Sequence, residues 1–220
     1  MSFFHGVNIT CSILVFFMDK STFQNLIKAN SAIISATRDS ACKLHESVNQ
    51  MYDGSLPYGF HLSMVADAAL KWGYSVLASD CDFIPVVFGA YFHDSIEDAR
   101  VTYNDLLRLA ANFMDRQQSV TAAEIVYALT NDKGRTRAER AGERYYAGIR
   151  ATPYAPFVKL CDRYANTFHS HSDAGAEHQR MLGVYSGEWQ HFIDSIDAHS
   201  DDIRFQLPQS LITEIENLLR

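Results

Sequence analysis

The chain has 220 residues, a formal net charge of −7 and 47% hydrophobic residues, which suffices for one sizeable core and argues against broad binding to a nucleic-acid polymer or an anionic membrane. Its four cysteines, Cys11, Cys42, Cys81 and Cys161, lie far apart with no CxxC pair. This spacing indicates neither a zinc knuckle nor a redox pair and predicts free thiols in a reducing cytosol.

Residues 1–20 read as an N-terminal extension. "CSILVFFM" is apolar, but no Lys or Arg precedes it as in a signal peptide, and it is too short to cross a bilayer. Met18, followed by "DKSTF", offers an alternative start. Residues 21–220 read as a single cytoplasmic domain without repeats or long linkers. Phe23 to His45 predicts one helical run, closed by Gly54, Pro57 and Gly59 in "MYDGSLPYG". From His61 to Trp72, Leu62, Val65, Ala66, Ala69 and Leu70 share one apolar helical face.

After a turn at Asp80 to Asp82, "FIPVVFGAYFHDSIEDA" is apolar and then abruptly acidic, as expected of a helix that enters the core and delivers its charged end into a cleft. Thr102 with Asp105, and Thr121 with Glu124, predict capping boxes for the next two helices. A long amphipathic helix is expected between Ala174 and Ala198, and a short one after Pro208. Strand signals are nearly absent, so the fold class is all-α.

Chemistry concentrates in a few places. On a continuous helix, His93 and Glu97 stack four residues apart, as do Asp94 and Asp98. His93 and Asp94 could then reach a metal while Glu97 or Asp98 handles a water. His61 opens an otherwise apolar helix, and Asp162 sits within "FVKLCDRYANTF", where burial requires a partner such as Lys159 or Arg163, or a metal. His61, His93, Asp94 and Asp162 make a two-histidine, two-carboxylate set that suits Mn2+ best and Zn2+, Fe2+ or Mg2+ by ligand type. One ion is expected, and His169 and His171 are the residues that leave a second open.

The order His61, His93-Asp94, Asp162 resembles the HD superfamily of metal-dependent phosphohydrolases. More narrowly, "HDSIEDA" and "KLCDRYANTFHS" resemble the hydrolase domain of RelA/SpoT-type enzymes and their small stand-alone relatives, which remove the 3'-pyrophosphate of (p)ppGpp. The resemblance runs from about Ala41 to Phe192. It implies an HD-domain helical bundle and metal ligation, with manganese usual, by the four residues just named. It also implies a catalytic acidic pair at Glu97 and Asp98, and Asn166 beside the nucleotide.

A small nucleotide is the expected partner. Lys133, Arg135, Arg137, Arg140, Arg144 and Arg150, against Glu139 and Glu143, make residues 133–150 net +4 within a chain of −7. Lys133, Arg135, Arg137, Arg140 and Arg144 are therefore candidate phosphate contacts, with His45 as a further substrate contact. Leu44 to Leu70 holds no Lys or Arg, where alarmone hydrolases carry a basic pair. An HD nucleotidase or phosphodiesterase is the competing enzyme reading, and a catalytically silent nucleotide-binding domain is the non-enzymatic one. The sequence assigns no oligomeric state.

Overall fold

Ten consecutive residues, Phe83 to Phe92, are all buried and form helix α4. The remaining helices cover this apolar rod. The structure, a computed structural model, describes residues 18–131 and 134–220. It is an all-α helical bundle whose only strands among the described residues are β1 (Met51–Tyr52) and β2 (Leu56–Pro57), an antiparallel hairpin. Asp53 and Gly54 turn that hairpin with positive φ.

The first predicted run is split into α1 (Lys20–Ala29) and α2 (Ser31–Ser47). Asn30 lies at the joint, and its side-chain amide donates to the Leu26 carbonyl at 2.9 Å. Asparagine competes in this way with backbone pairing, a local event that hydrophobic spacing does not register. Helix α3 (Gly59–Trp72) buries His61, Leu62, Val65, Ala66, Ala68, Ala69 and Trp72.

The acidic end of α4 also departs from expectation. The helix stops at Phe92, and a separate turn, α5 (Ser95–Asp98), follows. The His93 ring Nδ1 bonds the Ala90 carbonyl at 2.9 Å and the Ser95 hydroxyl donates to the Phe92 carbonyl at 2.7 Å. Side chains thus take acceptors that a continuing helix would use.

Helix α6 (Tyr103–Ala110) carries the predicted Thr102–Asp105 capping box. The Thr121 box is corrected: α7 (Arg116–Leu129) begins earlier, capped reciprocally by Asp115 and Gln118. Asp115 already satisfies the terminal donors, so Thr121 lies inside the helix and donates to the Gln117 carbonyl. The short α8 (Arg137–Arg140) and α9 (Glu143–Ala151) lead to α10 (Ala155–His171), which packs on α3. Helices α11 (Ala176–Ile196) and α12 (Gln209–Leu218) close the bundle against α10, as the spacing predicts. No described helix is long and apolar enough to cross a membrane.

Candidate metal centre

Three elements bring the centre together. α3 supplies His61, the break after α4 supplies His93 and Asp94, and α10 supplies Asp162. Both imidazoles are 2% exposed. The two Nε2 atoms are 3.2 Å apart. Asp94 Oδ2 lies 2.9 Å from His93 Nε2 and 3.6 Å from His61 Nε2. Asp162 Oδ1 lies 3.3 Å from His61 Nε2 and 3.8 Å from His93 Nε2.

These spacings fit a shared cation. Two donors about 2.1 Å from one ion are about 3.0 Å apart at a right angle and about 3.4 Å apart at the tetrahedral angle. The Nδ1 of His93 faces the Ala90 carbonyl as its donor, which turns Nε2 toward the cluster as the nitrogen that would ligate an ion. His61, His93 and Asp94 form a group whose ligand atoms all lie within 4.8 Å.

The electrostatics agree with a cation-seeking site. Burial opposes a charge on His93, but Asp94 outweighs it and raises the imidazole to about 9. Burial likewise disfavours the Asp94 carboxylate, and His93 more than offsets this, holding it below the ordinary value. For Asp162, burial is again opposed, here by Lys159, and its carboxyl stands well below the ordinary value.

Surrounding groups orient the carboxylates. The Tyr58 hydroxyl donates to Asp94 Oδ2 at 2.6 Å. Lys159 Nζ takes Asp162 Oδ2 at 3.0 Å, leaving Oδ1 for the histidines and for Asn166 Nδ2 at 2.6 Å. Tyr52 donates to Asn166 Oδ1 at 3.1 Å and stacks on the His61 ring at 4.8 Å. No sequence pattern marks Tyr52 or Tyr58, because both act from a hairpin and a helix entry distant in sequence from the acids they serve.

Asp94 caps the α5 turn and its carbonyl accepts the Asp98 backbone N–H at 2.9 Å, so these two acids stay one helical turn apart, while the break after Phe92 takes His93 out of that turn. Glu97 accepts from the Asn131 backbone N–H at 2.6 Å and from its side-chain amide at 3.1 Å. Asp98 instead accepts from Gln50 Nε2 at 3.2 Å. Burial first, and then the charge of Asp94, raise the Asp98 carboxyl above its ordinary value.

A cleft of about 650 Å³ adjoins the cluster. Asp162, Asn166 and Lys159 are among its lining residues, together with Asn131, Arg140 and Tyr145. Of the expected basic contacts, only Arg140 is among the lining residues described. Arg135 and Arg144 are exposed and outside that lining. Lys133 lies outside the described residues, as does the side chain of Arg137.

His45 is fully buried and stacks on Tyr58 at 4.6 Å. Neither ring nitrogen has a partner, and burial lowers its pKa to about 4. It meets the centre through Tyr58 rather than through the cleft. His171 faces away, its Nδ1 against the Leu218 carbonyl at 3.0 Å.

An all-α bundle with a candidate His/His/Asp metal centre beside a polar cleft is the class that fold and site define. No protein-family model matches the chain, and no curated protein matches it.

Proposed function

We propose that this chain is an HD-type metal-dependent phosphohydrolase acting on a small nucleotide. The observation that carries the reading is the convergence of the His61 and His93 Nε2 atoms with Asp94, and of Asp162 at 3.3 and 3.8 Å from the two imidazoles, beside a cleft that Asp162 lines. His61, His93, Asp94 and Asp162 would hold the ion, with Mn2+ the best match to mixed nitrogen and oxygen donors. When bound, a divalent ion supplies Lewis acidity toward a phosphoryl oxygen and acidifies water.

The chain's own groups account for the rest. Lys159 neutralises Asp162 and presents positive charge to the cleft, where a phosphoryl group would lie. Asn166 also lines the cleft, and its amide oxygen, which accepts from Tyr52, keeps a lone pair for a sugar hydroxyl. Arg140 meets a second anionic group.

Glu97 and Asp98 are the acidic pair that accepts and returns protons. Asn131, a lining residue of the cleft, holds Glu97 beside it, and the raised carboxyl of Asp98 favours proton uptake. Guanosine 3',5'-bis(diphosphate), cleaved at its 3'-pyrophosphate, is the best-fitting substrate. Its two phosphate clusters suit a cleft lined by more than one cation, Lys159 and Arg140.

The test is a panel of ppGpp, pppGpp, ppApp, nucleoside monophosphates and cyclic dinucleotides incubated with Mn2+-loaded protein, with every product identified. Pyrophosphate release from ppGpp supports the full reading. Turnover of monophosphates or cyclic dinucleotides alone moves the assignment to a nucleotidase or phosphodiesterase. Turnover of none overturns the phosphohydrolase reading.

A further inference from the structure

A second cluster lies on the other side of Tyr52. Asp53, His169 and His178 place one ligand atom each within 4.8 Å of one another. Asp53 Oδ2 is 3.3 Å from His169 Nε2 and 3.2 Å from His178 Nε2. Three separate segments supply them: the hairpin turn, the last turn of α10 and the first turn of α11. The two histidine side chains are only 16% and 13% exposed. Tyr52 and Phe60 wall His169 at ring distances of 4.8 and 5.8 Å.

The geometry points to a second metal site, for Zn2+ or an ion of similar chemistry, ligated by Asp53, His169 and His178. Asp173 Oδ2 lies 3.6 Å from His178 Nε2 but outside the three-residue group, which leaves the fourth tetrahedral position to water. Ion pairing alone accounts for the cluster less well. Charge-assisted N–H···O bonds run about 2.7–2.9 Å, and both contacts to Asp53 are longer. Donors around a tetrahedral ion are about 3.4 Å apart, close to both. One carboxylate oxygen shared by two Nε2 atoms is also how a ligand set appears when its ion is removed.

The ion's role would be structural. It would fasten the β1–β2 hairpin to the α10–α11 corner and fix Tyr52, the neighbour of Asp53. Tyr52 in turn stacks on His61 and bonds Asn166. A small hairpin with two-residue strands has little else to hold its register. This inference does not depend on the phosphohydrolase reading, because it concerns a different set of ligands.

The test is titration of chelator-stripped full-length protein with Co2+, followed by absorption, and with Zn2+, followed by bound stoichiometry and thermal unfolding. Wild type is expected to bind two equivalents. Asp53→Asn and His178→Ala should each bind one and keep the Asp94-dependent equivalent. Asp94→Asn should also bind one, and Zn2+ should still raise its melting temperature. Asp53→Asn lies in an exposed turn, so it decides the matter if His178→Ala fails to fold. Two equivalents retained in Asp53→Asn, or a single wild-type equivalent that Asp94→Asn abolishes, would overturn the second site. A single equivalent lost in Asp53→Asn but kept in Asp94→Asn would support it and count against the first centre instead.

Discussion

The Nε2 atoms of His61 and His93 face each other across 3.2 Å in a region closed to solvent. With Nδ1 of His93 facing the Ala90 carbonyl, Nε2 is the nitrogen turned to the cluster, where it holds a proton or, in its place, a cation. Two such nitrogens, with two carboxylates beside them, are stable together only around a proton or a cation. This arrangement underlies the functional reading.

Glu97→Gln should keep the fold and the bound metal while lowering turnover by about 10²- to 10⁴-fold, the usual contribution of a positioned acid or base. Glutamine can still accept the Asn131 N–H, so that contact is preserved. Turnover and metal content measured on the same preparation separate the two roles. Unchanged turnover in a metal-loaded variant removes Glu97 from proton transfer.

Substrate reach can be read from Arg140. Replacing it with alanine should raise KM for a 3',5'-bis(diphosphate) nucleotide well above the rise for a monophosphate, since only the longer anion spans the cleft. Arg135→Ala is the internal control, because Arg135 is exposed and its described hydrogen bond is from its backbone N–H to Glu139. Equal losses on both substrates would detach Arg140 from the second phosphate cluster.

Much of the centre is legible in the sequence, for one physical reason. His61, His93, Asp94 and Asp162 sit in apolar runs where a polar group needs a partner, and burial is what apolar spacing predicts best. The break between Phe92 and Ser95 is not legible, because it depends on side chains bonding the Ala90 and Phe92 carbonyls. Nor are the partners of the acidic pair legible, Asn131 for Glu97 and Gln50 for Asp98, since both come from distant segments. Arg140 and Arg135 look alike in a basic segment, and only the fold decides that Arg140 lines the cleft. Asp53, His169 and His178 share no spacing at all, so their meeting waits on the placement of the hairpin.

His45 should make stability depend on pH. Burial lowers its folded pKa to about 4 from an unfolded value of about 6.5. Between these values the unfolded chain binds more protons, so stability is full above pH 6.5 and falls as pH drops toward 4. The loss should be on the order of 3 kcal/mol at most. Urea unfolding of wild type and His45→Phe at pH 7 and pH 5 checks this. The variant should lose part of the slope, and an identical slope in both proteins would remove His45 from the acid response.

Gly89→Ala should destabilise the protein by roughly 1–3 kcal/mol. A Cβ there would come within 2.6 Å of Ile125 Cγ2, where α4 crosses α7. Because α4 delivers His93 and Asp94, metal affinity should weaken alongside the urea midpoint. A neutral substitution would mean that Ile125 can move aside without cost.

The central claim is that the His61–His93–Asp94–Asp162 cluster makes hydrolysis depend on a metal. The most direct measurement follows nucleotide hydrolysis by wild type and Asp94→Asn after chelation, and again after Mn2+ is restored. Wild type should lose activity on chelation and regain it with Mn2+, while Asp94→Asn, still helical by circular dichroism, should stay inactive and lose one bound equivalent. Chelator-resistant hydrolysis by wild type, or Mn2+-restored hydrolysis at the wild-type rate in Asp94→Asn, would contradict the account.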